Sequence, residues 1–253
     1  MTDFHIEVTQ GDDNVAVVEF QRGKHNYFTA DLVGALVETL RELGSGRTRA
    51  VVLCSAGPHF CAGADFGDAE DRLGALDRLY DGAVGLVSQP LPIVAAIQGA
   101  AVGGGMGVAM TADFRVADPS TRFMPNFARI GLHHGFGLSV TLPAVVGTQR
   151  ALEYLYSGKT IAGSEALSAG LCDRLSEAGE LRQMAYSLAL SLADSAPLAL
   201  RAIRRTLRYD VVRRMQAAVV GERREQESLF VTDDFAEGVS AHREHRRPTF
   251  SGR

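Results

Sequence analysis

The run IVAAIQGAAVGGGMGVAMTA, Ile93–Ala112, decides how this chain is read. Its first five residues are apolar and small or β-branched, the pattern of a short strand buried on both faces. Pro90 and Pro92 stand just before it and stop the preceding helix. Glycines at 99, 103, 104, 105 and 107 then turn the chain and open a helix that ends near Ala112. The stretch is uncharged and, at about 20 residues, long enough to cross a bilayer. It holds no leucine or phenylalanine, which argues against a membrane span. A strand–glycine–helix junction exposes backbone N–H groups without partners, and the partial positive charge there suits an anion or a developing oxyanion. A dinucleotide fingerprint needs a third glycine where the chain has Val108 or Met110. Neither a GxxxxGK[ST] nor a GxSxG string occurs, which disfavours a P-loop NTPase and an α/β-hydrolase nucleophile.

Outward from this run the same alternation continues. Val15–Phe20 reads as a strand. Thr29 then caps a helix with Leu32, Leu36, Leu40 and Leu43 at helical spacing. Ala50–Cys54 is a second strand, followed by a loop containing Phe60-Cys61-Ala62-Gly63-Ala64-Asp65-Phe66 and a helix over Glu70–Ser88. Phe114–Ala117 reads as a further strand. Strands alternating with helices make an α/β body. After Leu138 the spacing predicts helices over Leu138–Val145, Thr148–Ser157, Ser164–Ala169, Glu180–Asp194, Leu198–Arg208, Val211–Phe230 and Asp234–Glu244, with only Leu171–Leu175 extended. The chain divides on this reading into an α/β core, 1–195, and a helical C-terminal region, 196–253.

The 253 residues (27.1 kDa) are 46% hydrophobic and carry a formal charge of −4, enough chain for one large core. The acidic balance argues against nucleic acid as a partner. The basic runs Arg201–Arg208 and Arg243–Arg247 read as solvated helix faces. Cys54, Cys61 and Cys172 show no CxxC spacing and no histidines arranged around them, so neither a disulfide framework nor a metal site is expected. Met1–Gly11 is polar and acidic rather than leader-like. A reduced, cytoplasmic setting is the expectation.

The 60–66 loop, followed by the proline-flanked strand and the glycine triplet, resembles the crotonase (enoyl-CoA hydratase/isomerase) superfamily. The resemblance extends through Ala112–Ala117, Gly131-Leu132, Leu142–Gly147, Gly170–Asp173, Ala196–Ala199 and the closing Arg247-Pro248-Thr249-Phe250. It implies a crotonase-like spiral of repeated ββα units whose helical C-terminal region drives a homotrimer or a hexamer. It also implies an acyl-CoA or enoyl-CoA thioester as substrate, with coenzyme A entering as part of that substrate and no other cofactor or metal. The backbone N–H groups of Ala64 and Gly104 would stabilise an enolate-like oxyanion, each preorganised donor lowering the barrier by about 3–4 kcal/mol. Lys24 is placed to meet a CoA phosphate. Ala62, Asp65, Phe66, Gly105 and Phe127 are expected to bind substrate around the two loops.

The chain departs from the family where protons are handled. Hydratases of this superfamily carry two glutamates, and the matching positions here are Gly107 and Phe127. The isomerase-type acid position is Gly135. A hole for an oxyanion without a proton carrier adds water poorly. His133 and His134, beside the empty isomerase position, are the candidate substitutes, and such a role predicts a rate that titrates near pH 6–7. Asn126 is suited to orienting water, and Asp68, Glu70 and Asp71 reach the pocket only if their loop folds inward. Cys61 has no cation near it in sequence to activate it as a nucleophile. Fatty-acid metabolism with lyase or isomerase chemistry is the first expectation. The alternatives are a non-catalytic acyl-CoA-binding protein and another thioester reaction, such as decarboxylation, C–C hydrolysis or thioester hydrolysis.

Overall fold

The computed structural model describes residues 3–65, 72–244 and 246–253. In chain order the first elements are β1 (His5–Gln10), β2 (Val15–Gln21), α1 (Ala30–Ser45), β3 (Ala50–Ser55), α2 (Arg72–Val87) and β4 (Ile93–Ile97). Next come β5 (Ala100–Val102), α3 (Gly104–Thr111), β6 (Phe114–Ala117), β7 (Arg122–Met124) and a 3₁₀ turn over Phe127–Ile130. The remainder is α4 (Leu138–Val146), α5 (Thr148–Ser157), β8 (Ile161–Ala162), α6 (Gly163–Ala169), β9 (Arg174–Leu175), α7 (Leu181–Ala193), α8 (Pro197–Leu229) and α9 (Asp233–Arg243).

A six-stranded sheet runs β1-β2-β3-β4-β6-β9, antiparallel only at the β1–β2 edge, and a three-stranded sheet runs β5-β7-β8. Alternation along β3 explains the layers. Val51 and Leu53 pack with Leu32, Leu36 and Leu86 from α1 and α2, whereas Val52 and Cys54 face Leu181, Ala185 and Leu188 of α7. Thr29 caps α1 as its position suggests, its hydroxyl accepting the Leu32 N–H. No helix among the described residues is long and apolar enough to cross a membrane.

The structure corrects three expectations. Leu198–Arg208 and Val211–Phe230 are not separate helices but parts of one 33-residue helix, α8. The intervening Tyr209-Asp210 holds neither glycine nor proline, and Asp210 pairs with Arg213 and Arg214 at i+3 and i+4, which supports helix across the junction. The structure also holds short strands where none was expected, among them β7 before Leu138 and β8 after it. β7 and β8 are three and two residues long, too short to show a period. β9 covers only Arg174–Leu175 of the stretch expected to be extended. Finally, the Arg201–Arg208 run is not a uniformly solvated face, because Arg204 is buried.

α8 is tied to the core through Glu222, which is 2% exposed and accepts the N–H groups of Gly137 (2.8 Å) and Ser139 (2.9 Å) at the start of α4. Charge-assisted bonds of this kind contribute about 1.5–3 kcal/mol each. Glu222→Ala should therefore lower unfolding free energy by about 3 kcal/mol or more, read from the urea midpoint at unchanged m-value. Glu222→Gln, which keeps one acceptor, should lose less.

Candidate functional site

The site is built on backbone. Phe28 N–H donates to Gly63 O (3.1 Å) and Asp65 N–H donates to Phe28 O (2.8 Å), which pins residues 63–65 beside Phe28. Cys61 N–H donates to Ala100 O (2.9 Å) and Val102 N–H to Cys61 O (3.0 Å), which fastens the same loop to β5. The loop after β3 and the junction before α3 thus form one hydrogen-bonded unit. Between these bonds the Ala64 N–H has no hydrogen-bond partner among the described residues. The first bond of α3 is Gly107 N–H to Gly103 O (3.1 Å), so the Gly104 N–H precedes the helical ladder.

Close approach explains the glycines. A Cβ on Gly104 would sit 2.6 Å from Phe28 Cζ and 3.7 Å from Ala64 Cβ, so the two residues are neighbours with the Phe28 ring against them. A Cβ on Gly105 would meet Cys61 O at 2.4 Å. Gly103 takes φ +52°, which lets the chain turn into the helix.

Ala64 and Gly104 line a cavity of about 440 Å³. Its walls are mainly apolar, with Leu76, Leu79, Ile130, Leu132 and Phe136 prominent. Of the expected residues, Ala62, Ala64, Asp65, Gly104 and Phe127 line this cavity, as does Asn126. Gly105 is not in the wall and packs on Cys61 instead. Asp65 is held by Arg22 at 2.9 Å. Lys24 is exposed on the turn after β2 and does not line the cavity. Phe66, Asp68, Glu70 and Asp71 fall outside the described residues. The Cys61 thiol donates to Gly63 O, and burial pushes its pKa up to about 12, which leaves it a protonated, inert thiol.

The structure does not bring His133 and His134 into the cavity wall. Their rings stack on each other with centroids 4.1 Å apart. His133 Nδ1 lies 2.6 Å from the His134 carbonyl, and His134 Nε2 lies 2.8 Å from Ser139 Oγ. Burial, and then the His133 charge, push the His134 pKa down to about 4. That is below the neutral-pH titration expected of a proton carrier.

The three acid positions are closed by neighbours. A Cβ on Gly107 would lie 2.6 Å from Phe136 Cβ. A Cβ on Gly135 would lie 2.6 Å from the Tyr80 hydroxyl and 2.7 Å from Gln226 Nε2. Phe127 fills the third position, 6% exposed. Tyr80 and Gln226 come from α2 and α8, and both line the cavity. Gln226 donates to His133 O at 2.8 Å. The Tyr80 hydroxyl is buried without a hydrogen-bond partner among the described residues, and burial with the nearby Glu222 charge raises its pKa, so it stays protonated.

α9 completes the wall with Val239, His242 and Arg243. His242 and Arg243 are exposed and so stand on its solvent side. Two glycines allow α9 to lie directly on the 3₁₀ turn: a Cβ on Gly131 would meet Asp234 at 2.7 Å, and one on Gly238 would meet Ile130 at 2.5 Å. Sequence reasoning missed Tyr80, Gln226, His242 and Arg243. The one available signal was the pair of glycines, whose need for contact is visible only in three dimensions.

A family model for enoyl-CoA hydratase/isomerase matches residues 10–253. The chain is 32% identical over 254 residues to the echA6 protein of Mycobacterium bovis, named as a probable enoyl-CoA hydratase, covering 98% of this chain and 99% of that protein. It is 30% identical to a protein named as a probable enoyl-CoA hydratase of Bacillus subtilis, covering 95% and 96%. Among solved structures, an enoyl-CoA hydratase/isomerase of Pseudoalteromonas atlantica superposes with a TM-score of 0.86 at 26% identity, over 99% of this chain and all of that one. An enoyl-CoA hydratase of Mycobacterium avium subsp. paratuberculosis gives 0.86 at 25%, covering 97% and 98%. The fold is that of the crotonase superfamily. The chain belongs to the enoyl-CoA hydratase/isomerase family.

The histidine geometry has a measurable consequence for stability. Because the folded pKa of His134 lies below its ordinary 6.5, the unfolded chain takes up the proton first. Stability from neutral His134 is intact above pH 6.5 and is lost as the pH falls toward 4. His134→Gln should flatten that part of the pH–stability curve, by about 1–2 kcal/mol after allowance for partial exposure, in urea melts across the window.

Proposed function

We propose that the cavity binds an acyl- or enoyl-CoA thioester with its carbonyl oxygen at the Ala64 and Gly104 N–H groups. The observation that carries this reading is the pair of amides without partners, on adjacent residues of one hydrogen-bonded backbone unit, at an apolar cavity. A thioester enolate concentrates negative charge on one oxygen, and fixed donors in a dry site stabilise it without reorganising at the moment of reaction. The cavity is of the size that takes a small acyl group. Coenzyme A enters as part of the substrate, with its phosphates toward solvent near Lys24, and no further cofactor has a role.

On this reading the chemistry begins with oxyanion stabilisation and does not include efficient hydration. No carboxylate stands at either hydratase position, and the one acid that lines the cavity among the described residues, Asp65, is engaged by Arg22. A protein that binds acyl-CoA without turning it over is favoured to the same extent by this apolar wall. Decarboxylation and thioester cleavage lack a specific supporting observation.

Gly104→Pro removes one donor and also presses on Phe28, so it is best read beside Ala64→Pro, which removes an amide with no described bond. Each should weaken thioester binding or turnover by about 10²–10³-fold while the melting temperature of at least one stays near wild type. A folded variant of either kind with normal acyl-CoA binding and turnover would overturn the assignment.

Crotonyl-CoA hydration by the wild type should be slower than in a two-glutamate relative by about 10²–10⁴ for each missing group. Gly107→Glu alone should not recover it, because its Cβ collides with Phe136. Gly107→Glu with Phe136→Gly, which removes the colliding Cβ and suits the φ of +59° at that position, is the variant in which a gain is expected.

Assembly as a trimer or hexamer is part of the same proposal. Ile203 and Leu207, one turn apart on α8, are 56% and 74% exposed. An apolar pair presented this way on a long helix is suited to a second copy of the chain. Sedimentation should report a trimer or hexamer at micromolar concentration, and Ile203→Glu with Leu207→Glu should dissociate it.

A further inference from the structure

The arginine run on α8 lies beside a second cavity, away from the oxyanion amides. It has a volume of about 730 Å³ and sits where the end of α2 meets the first half of α8. Arg201, Arg204, Arg205, Arg208 and Arg213 line it, and no acidic residue does. The first four recur at i, i+3, i+4 and i+7, which is one face of a helix. The exposed Ile203 and Leu207 stand two residues from Arg201 and Arg205, about 200° around the axis. The arginine face and the proposed assembly face are therefore distinct, with centres about 130° apart around α8.

Charge is not balanced at this cavity. Arg204 and Arg208 share one carboxylate, Asp113, at 2.8 and 3.5 Å. That carboxylate also accepts the Ile93 N–H at 2.9 Å, so its capacity is largely used. Arg204 donates in addition to the Gln89 carbonyl, and Arg208 to the Thr111 carbonyl. Even so, Arg204 Nη2 is buried with no hydrogen-bond acceptor among the described residues, and Arg208 Nε has only the long 3.5 Å contact with Asp113. The Arg204 side chain is 7% exposed and that of Arg208 18%. Desolvation pulls the Arg208 pKa down, Asp113 opposes this, and the Arg204 and Arg115 charges add to it. Arg115 has its own partner, Asp173, at 3.1 Å. Arg205 is exposed with no ion pair among the described residues, and Arg201 makes only a long bond to the Thr48 carbonyl, 3.4 Å. Cations gathered in this way on a rigid helix repel one another, and the arrangement is relieved by an anion from outside.

The chemistry of the wall narrows that anion. Guanidinium forks match the oxygen pairs of phosphates, and their spacing along successive helical turns suits more than one phosphoryl group. Beside them the cavity presents Val87, Pro90, Val212 and the exposed ring of Tyr209, an apolar surface of the kind that receives a planar organic body. We infer that this cavity is a second ligand site, which binds the diphosphate group of an organic phosphate, and that it is independent of the thioester site.

Calorimetric titration of the full-length protein with inorganic pyrophosphate and with ADP tests this. Both should bind at low ionic strength and weaken as salt is raised. Tighter binding of ADP than of pyrophosphate assigns a role to the apolar wall and points to a nucleotide, while equal binding points to the diphosphate alone; either result supports the site. Arg201→Glu with Arg205→Glu changes accessible side chains and should weaken both ligands at least tenfold, the loss of about one charge-assisted bond, with acyl-CoA binding unchanged. Lys24→Glu, on the turn expected to meet coenzyme A, should leave pyrophosphate binding as it is. The inference is overturned if neither ligand binds, if the double α8 variant binds both as wild type does, or if Lys24→Glu is the change that abolishes binding.

Discussion

Gly104 has no side chain because Phe28 already occupies that space. Much of the site follows from this contact. The Phe28 backbone brackets residues 63–65 on both sides, while its ring presses on the start of α3. One residue thereby holds two segments, some 40 positions apart, at a spacing set by an aromatic ring rather than by flexible side chains. Amides positioned by packing cannot wander, and that rigidity is what electrostatic preorganisation requires. Cys61 serves the same end from below, since its carbonyl and thiol fill the space next to Gly105.

What was legible in the sequence is what is local. The buried strand at Ile93–Ile97 and the Thr29 cap follow from periodicity and capping, which act over a few residues. The Ala64 and Gly104 loops were legible because close backbone approach restricts residue choice to the smallest side chains. The functions of His133 and His134 were not legible, because adjacency in sequence to an empty acid position does not say which way two rings turn. Here they turn onto each other and onto Ser139. Arg204 looked like part of a charged helix face because its counter-charge, Asp113, lies 91 positions away. The back wall from Tyr80 and Gln226 has the same origin, with residues drawn from α2 and α8 that no periodic pattern connects.

Gly107, Phe127 and Gly135, the positions where the family resemblance places acids, are not open sites. Each position is closed by a packed neighbour: Phe136 against Gly107, Tyr80 and Gln226 against Gly135, and the Phe127 ring at the third. Protein interiors are close-packed, so filled space is not recovered by changing one residue. A longer side chain at Gly107 or Gly135 is therefore resisted by the core, which keeps this part of the cavity wall apolar. Tyr80 is an exception in that wall, since it keeps a hydroxyl with no described partner where a phenylalanine would cost nothing in hydrogen bonding.

The docking of α9 on the turn after β7 sets an order of events in the life of the molecule. The cavity wall begins at Tyr27 and closes with Val239, His242 and Arg243. A nascent chain emerging from the ribosome can assemble the sheet and both loops early, yet it has an open trough rather than a cavity until those last residues arrive. A chain that stops before Val239 would present an open apolar trench to its surroundings, the kind of surface that quality-control chaperones and proteases engage.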